Sequence, residues 1–298
     1  MLLLPLDSST LTTINGLRVP VVLLIALIYA AYDIFNKRDI PDKVAYASLV
    51  VGVLFTLALD TQTIIMSALI ALVVGALSYA LYRVGQMGLG DGFEFVALSL
   101  IIPIQPAPWF VFVNQLGLPF ILSIFIATGF AAVILVPIYY ISKMKRADFG
   151  KVRKGITQKM ALKAVMMLLA YGALFLFITY SFGFSYVALA IIALIALPSI
   201  VVILFEKQMM LQMIEKIYPS SLEEGDIIAM DLMTPKEVAY FKAKYTKFGK
   251  LADKKLIERI AGIKRKMPVY KKAIPLALPT LIGTLIAFAL GNLLLLVI

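Results

Sequence analysis

The sequence predicts an all-α polytopic membrane protein of about eight transmembrane helices, with a small cytosolic domain before the last helix. Three observations carry that expectation. The 298 residues are 62% apolar and only 15% charged, where soluble domains carry about 25% charged residues. Mean hydropathy is +0.97, so too few polar side chains remain to cover a water-soluble fold of this length. The apolar residues also fall into separate runs long enough to cross a bilayer.

Those runs lie at about 19–35, 44–59, 64–82, 92–105, 119–141, 161–181, 185–205 and 274–298. No Lys or Arg precedes Arg18, so the basic start of a cleaved signal peptide is missing and the first span is expected to be retained. The fourth run is the short one. It opens beside Gly90-Asp91-Gly92 and stops at Pro103, Pro106 and Pro108.

Charge orients these spans. With the N-terminus outside, the inner loops fall at about 36–43, 83–91, 142–160 and 206–273, and together with Lys163 they hold 27 of the 28 basic residues. Arg18 alone falls outside. Losing one span, or flipping the chain, would scatter these charges over both faces. The protein is therefore expected to be a multi-pass protein of the cell membrane. The net charge of +11 then describes a basic face against anionic lipid. No basic motif interleaved with aromatics argues for nucleic acid.

Three parts are expected: a membrane domain over 1–205, a basic cytosolic domain over 206–273, and a last transmembrane helix over 274–298. In the polar part, Thr234-Pro235-Lys236-Glu237 reads as a capping box with proline at the first helical position. That helix is expected to reach about Phe248, with Gly249 as its C-cap. A second helix is expected from about Ala252 to Lys266, ended by Pro268. Ile227, Ile228 and Met230 read as a short extended piece. So short a stretch is expected to pack on the membrane surface without much of a core of its own.

The residue types absent from the chain narrow its chemistry. With no cysteine and no histidine, disulfides, thiol nucleophiles, imidazole-based triads and the usual zinc sites are excluded. No metal or cofactor is implied. Of the 17 acidic residues, three lie in or beside apolar segments: Asp33, Asp91 and Glu94. A carboxylate within a span costs about 2.5–3.5 kcal/mol on insertion scales and is a functional candidate on that ground. The plainer alternative is that each reaches water at the membrane face.

Asp33 and Asp91 stand 58 residues apart, yet the topology puts both near the cytoplasmic interface. Packed helices would bring the two carboxyls together. Such a pair shares one proton, because like charges that close cannot both ionise. One carboxylate can then activate water while its protonated partner polarises a carbonyl. The run Gly88-Leu89-Gly90-Asp91-Gly92 adds backbone that can adopt positive φ and admit another chain closely. A glycine-rich turn opening a helix is the simpler account of that run. Glu94, one turn beyond Asp91, faces either the same cavity or the lipid headgroups.

At Tyr32-Asp33-Ile34-Phe35-Asn36-Lys37-Arg38-Asp39-Ile40-Pro41-Asp42 and at Gly88-Leu89-Gly90-Asp91, the chain resembles the type IV prepilin peptidase family. These are G-x-G-D aspartyl proteases, and the likeness is to their archaeal preflagellin and prepilin peptidases. It covers about residues 19–141, with a weaker echo in Ile274–Pro279 and Gly283. The resemblance implies a membrane aspartyl endopeptidase without cofactor. Its substrates would be precursors with type IV pilin-like (class III) signal peptides, or archaellin precursors, cut behind a short basic leader at the cytoplasmic face. Asp33 and Asp91 would be the catalytic pair, and Gly88 and Gly90 would shape the site. Lys37, Arg38, Asp39, Pro41, Asp42 and Glu94 would lie near the leader. Membrane lipid is the other implied partner, and no oligomeric state follows.

Departures from the family pattern bear on substrate choice. Phe93 stands where the family often has lysine. The hairpin 161–205 is additional to the usual six or so spans. The cysteine-bearing zinc segment of bifunctional bacterial relatives has no counterpart. Two other readings remain open. A presenilin-like intramembrane aspartyl protease shares Tyr32-Asp33 and the Gly-Leu-Gly-Asp motif, but has several helices before its first aspartate. Its Pro-Ala-Leu motif is also missing, Ala196-Leu197-Pro198 and Ala277-Leu278-Pro279 having the reverse order. An ion or proton-relay transporter would hold its acids at the midplane of two related halves.

Overall fold

The computed structural model describes residues 8–36, 40–84, 87–104, 106, 109–110, 119–144, 149–150, 157–244, 249, 252–270 and 276–293. Every expected span is a helix among them: α1 (Ser8–Phe35), α2 (Asp42–Leu57), α3 (Thr61–Val84), α4 (Leu89–Ile101), α5 (Phe120–Ser142), α6 (Gln158–Phe182), α7 (Tyr186–Gln212) and α10 (Ala277–Leu290). Five of these are long and apolar enough to cross a membrane, within α1, α3, α5, α6 and α7. The chain is an all-α polytopic membrane protein.

The short helix α4 is the centre of the bundle. Its 13 residues rise only about 20 Å, and Gly92, Glu94, Phe95 and Ala97 through Ile101 are all buried. Lipid never has to cover it, because α1, α2, α3 and α5 do. Both α2 and α3 offer it mostly small residues spaced three or four apart. These are Ala45, Ser48, Gly52 and Thr56 on α2, and Ser67, Ala71, Val74 and Ser78 on α3. Small residues let helix backbones approach inside a membrane, where packing rather than hydrophobicity drives association. The close approach is visible at Thr56, whose hydroxyl lies 2.9 Å from the Leu100 carbonyl. The same packing joins α10 to α5. A Cβ at Gly283 would stand 2.5 Å from the backbone nitrogen of Thr128.

Arg18 closes the end of the bundle opposite Asp91. Its guanidinium is buried, donates to the Ile101 carbonyl and to the Phe55 carbonyl (2.8 Å), and lies over the Phe55 ring. These carbonyls belong to the last turns of α4 and α2, where a cation meets the negative ends of two helix dipoles. The one basic residue that charge placement leaves on the far face is thus consumed by the fold.

Between α7 and α10 lies the polar part. Strands β1 (Ile214–Ile217), β2 (Ile227–Ile228) and β3 (Met267–Tyr270) form an antiparallel sheet in the order β1-β3-β2. Helices α8 (Pro235–Lys244) and α9 (Lys254–Ile260) accompany it. The expectation of little core is corrected here: Leu222, Ile228, Met233, Phe241, Leu256, Ile260, Met267 and Val269 form a buried apolar cluster. The expected second helix is shorter than predicted, since the chain turns at Ala261-Gly262 and Pro268 becomes part of β3. Residues 245–248, where the end of α8 is expected, lie outside the described residues. The capping box is present, with Thr234 N–H donating to Glu237 (2.8 Å) and Glu237 N–H to the Thr234 hydroxyl (3.3 Å).

Candidate active site

Asp33 sits in the last turn of α1 and Asp91 in the first turn of α4. The helices pack together and run in opposite directions, since Arg18, fifteen residues before Asp33 on α1, reaches the end of α4. Their two acids therefore meet at one end of the bundle, close enough for their charges to interact. Asp33 is 8% exposed, and Asp91 is half-buried. Glu94 is fully buried and within electrostatic reach of both. Helical spacing explains this, because i and i+3 share a face.

The glycines around Asp91 act by making room. Gly88 has φ −70° and ψ 149°, which any residue adopts, and the positive-φ glycines among the described residues are Gly183, Gly225 and Gly291. The expected need for positive φ at this motif is therefore corrected to a need for space. Asp91 folds back so that its carboxylate accepts the Gly88 N–H at 3.2 Å, and a Cβ on Gly88 would stand 2.9 Å from that oxygen. On Gly90 a Cβ would stand 3.1 Å from both Cβ and Cδ1 of Ile40. The chain that follows Asp33 thus rests directly on the turn that carries Asp91. On Gly92 it would stand 2.9 Å from the Ser78 Cβ, which lets α3 close against α4.

Of the loop residues expected near a substrate, Pro41 is half-buried and starts α2 through its carbonyl, which accepts Val44 N–H at 2.8 Å. Asp42 is exposed in the first turn of that helix. Lys37, Arg38 and Asp39 lie outside the described residues. Phe93 sets its ring 5.8 Å from that of Tyr46.

Residues 21–136 match the model of the type IV leader peptidase family. The match takes in α1 from Val21, all of α2, α3 and α4, and most of α5. It is rather less than half of the chain, but it carries both acids and the glycine motif. No curated protein and no solved structure matches the chain. The matched segment stops before the hairpin α6–α7, the polar domain and α10. Nevertheless, α10 packs on both α1 and α5, so it completes the same bundle.

Two residues of this site escape the sequence reading. Tyr29, fully buried one turn before Asp33 on α1, lies within electrostatic reach of Asp91 and Glu94. Its hydroxyl is 2.9 Å from that of Ser48, which donates to the Ala45 carbonyl at 2.7 Å. Because the single Ser48 proton is used there, Tyr29 is the donor to Ser48. The i, i+4 spacing of Tyr29 and Asp33 is the signal that finds it. The polar domain also reaches this end of the bundle. A Cβ at Gly225 would lie 3.5 Å from the Tyr82 hydroxyl near the end of α3.

Proposed function

We propose that the protein is a membrane aspartyl endopeptidase acting on type IV pilin-like or archaellin precursors. It cuts behind the short basic leader at the cytoplasmic face, with its N-terminus outside. The single observation that carries this reading is the meeting of Asp33 and Asp91, from separate helices, at one end of a membrane bundle. The match of the segment that holds them to the type IV leader peptidase family supports it. So does the expected topology, in which nearly all basic residues share the cytoplasmic face with the two acids.

The chemistry follows from the pair. One carboxylate takes a proton from water as the water oxygen attacks the scissile carbonyl carbon. The other carboxyl gives its proton to the carbonyl oxygen, which yields a tetrahedral diol. Collapse of the diol breaks the C–N bond. The amine leaves with the proton held by the first carboxyl, and a diol hydroxyl returns its proton to the second. Both aspartates end as they began, and neither metal nor thiol takes part. Gly88 and Gly90 serve by keeping side chains out of the space that the Asp91 carboxylate and the Ile40 loop occupy.

The test uses membranes containing the full chain and a precursor with a basic leader ahead of an apolar helix. Product size and the new N-terminus are read for wild type, Asp33→Asn and Asp91→Asn. A cut at the leader boundary, lost in both variants, is the expected result. A cut inside the apolar helix would instead favour the presenilin-like reading. No cut by the wild type, with all variants folded, would turn attention to ion flux.

A further inference from the structure

Glu94 is the most demanding side chain in the bundle. It is 0% exposed, and neither carboxyl oxygen has a hydrogen-bond partner among the described residues. Asp91, three residues earlier, accepts the Gly88 N–H. Tyr29 and Ser48 offer Glu94 nothing, because the proton of Tyr29 goes to Ser48 and that of Ser48 to the Ala45 carbonyl. A buried carboxyl without donors is destabilising, and a native structure keeps one where a ligand completes it or a mechanism uses it.

Its position says which ligand. Glu94 lies on the face of α4 that carries Asp91, about 4.5 Å further along the axis toward the far end of the bundle. It lies within electrostatic reach of both Asp91 and Asp33. A polypeptide cut between those two acids, with its apolar helix leading into the membrane, lays the residues just after the scissile bond at this depth. Those residues are extended when cut, so their backbone N–H groups have no helical acceptor.

We propose that Glu94 is a substrate-binding residue on the membrane side of the cut, its two free oxygens accepting backbone N–H groups of the residues that follow the scissile bond. This rests on the peptidase reading above and extends it with a contact in the mature part of the substrate. Wild-type cleavage, lost in Asp33→Asn, tests that reading by itself. The Glu94 variants then test the contact.

Two measurements on the full chain, in membranes or nanodiscs, decide it. Glu94→Gln keeps the shape and one acceptor, and Glu94→Leu removes both. Kinetics with a precursor are expected to show KM raised several-fold in Glu94→Gln and about tenfold or more in Glu94→Leu, with kcat changed about twofold at most. Thermal unfolding without substrate is expected to show Glu94→Leu melting above wild type, because a carboxyl without donors has been replaced by an apolar side chain. A residue that serves only the fold would give the reverse, a lower melting temperature. Unchanged KM in Glu94→Leu, or a melting temperature below wild type, overturns the proposal. Binding of the uncut precursor to Asp33→Asn, weakened in Asp33→Asn/Glu94→Leu, supports it without reference to turnover. Equal binding by the two contradicts it.

Discussion

The side chain of Ile40 fills the space that a Cβ on Gly90 would need, with two of its carbons 3.1 Å from that position. The contact sets Ile40, seven residues after Asp33, against the turn that carries Asp91. Gly90→Ala sets its methyl against the Ile40 Cβ, which cannot swing away because it is anchored to the backbone. We expect leader removal to slow about tenfold or more, in the way that small displacements of reacting groups cost enzymes. Ile40→Gly in the same chain, which removes that Cβ, should return most of the rate. A rate unaffected by Gly90→Ala would show that this contact does not set the distance between the acids.

Arg18 makes a separate prediction, about stability alone. It is 7% exposed and caps the ends of α2 and α4 far from the acids. Arg18→Met keeps the stem and removes the donors, leaving buried carbonyls unpaired at a cost of about 1.5–3 kcal/mol. A lower melting temperature with an unchanged cleavage site is expected. Loss of cleavage without loss of stability would contradict the structural role.

The polar domain carries a pH signature. Glu237 is held below the usual carboxylate range by the backbone N–H of Thr234, then by the Thr234 hydroxyl and by Arg265. A carboxyl with a lowered folded value contributes stability that is fully present above its unfolded value, near 4.3, and lost as pH falls through the folded one. Amide protection of α8 in wild type should therefore exceed that in Glu237→Gln at pH 7. The difference should close as pH drops below about 4. A difference independent of pH would show that the capping box owes nothing to ionised Glu237.

Much of this architecture is legible in the sequence because a bilayer imposes length and hydropathy on every span. Even α4, the short one, is announced by Pro103 and by the acids at its start. The approach of Asp33 to Asp91 is anticipated by the expected topology, which puts both acids near one face of the membrane. What packing decides is harder to read. Gly88, Gly90 and Gly92 invite an argument from backbone freedom, yet their φ values are ordinary and their use lies in what approaches them. Tyr29 is hidden because a tyrosine within an apolar run reads as an interface residue until its neighbour across the helix pair is known. The core of the polar domain depends on β3 pairing with β1 across fifty residues. Pro268 argues locally against any strand there, since proline is rare within sheets.

The measurement that tests the central claim most directly compares leader removal by Asp33→Asn, Asp91→Asn and the double variant under one set of conditions. Residues that act as one catalytic unit fail together, so the effects of removing them do not add. Each single variant should lose activity at least about a thousandfold, and the double variant should be no slower than either single one. Appreciable activity in either single variant, or losses that multiply in the double one, would mean that the two aspartates do not work as a pair.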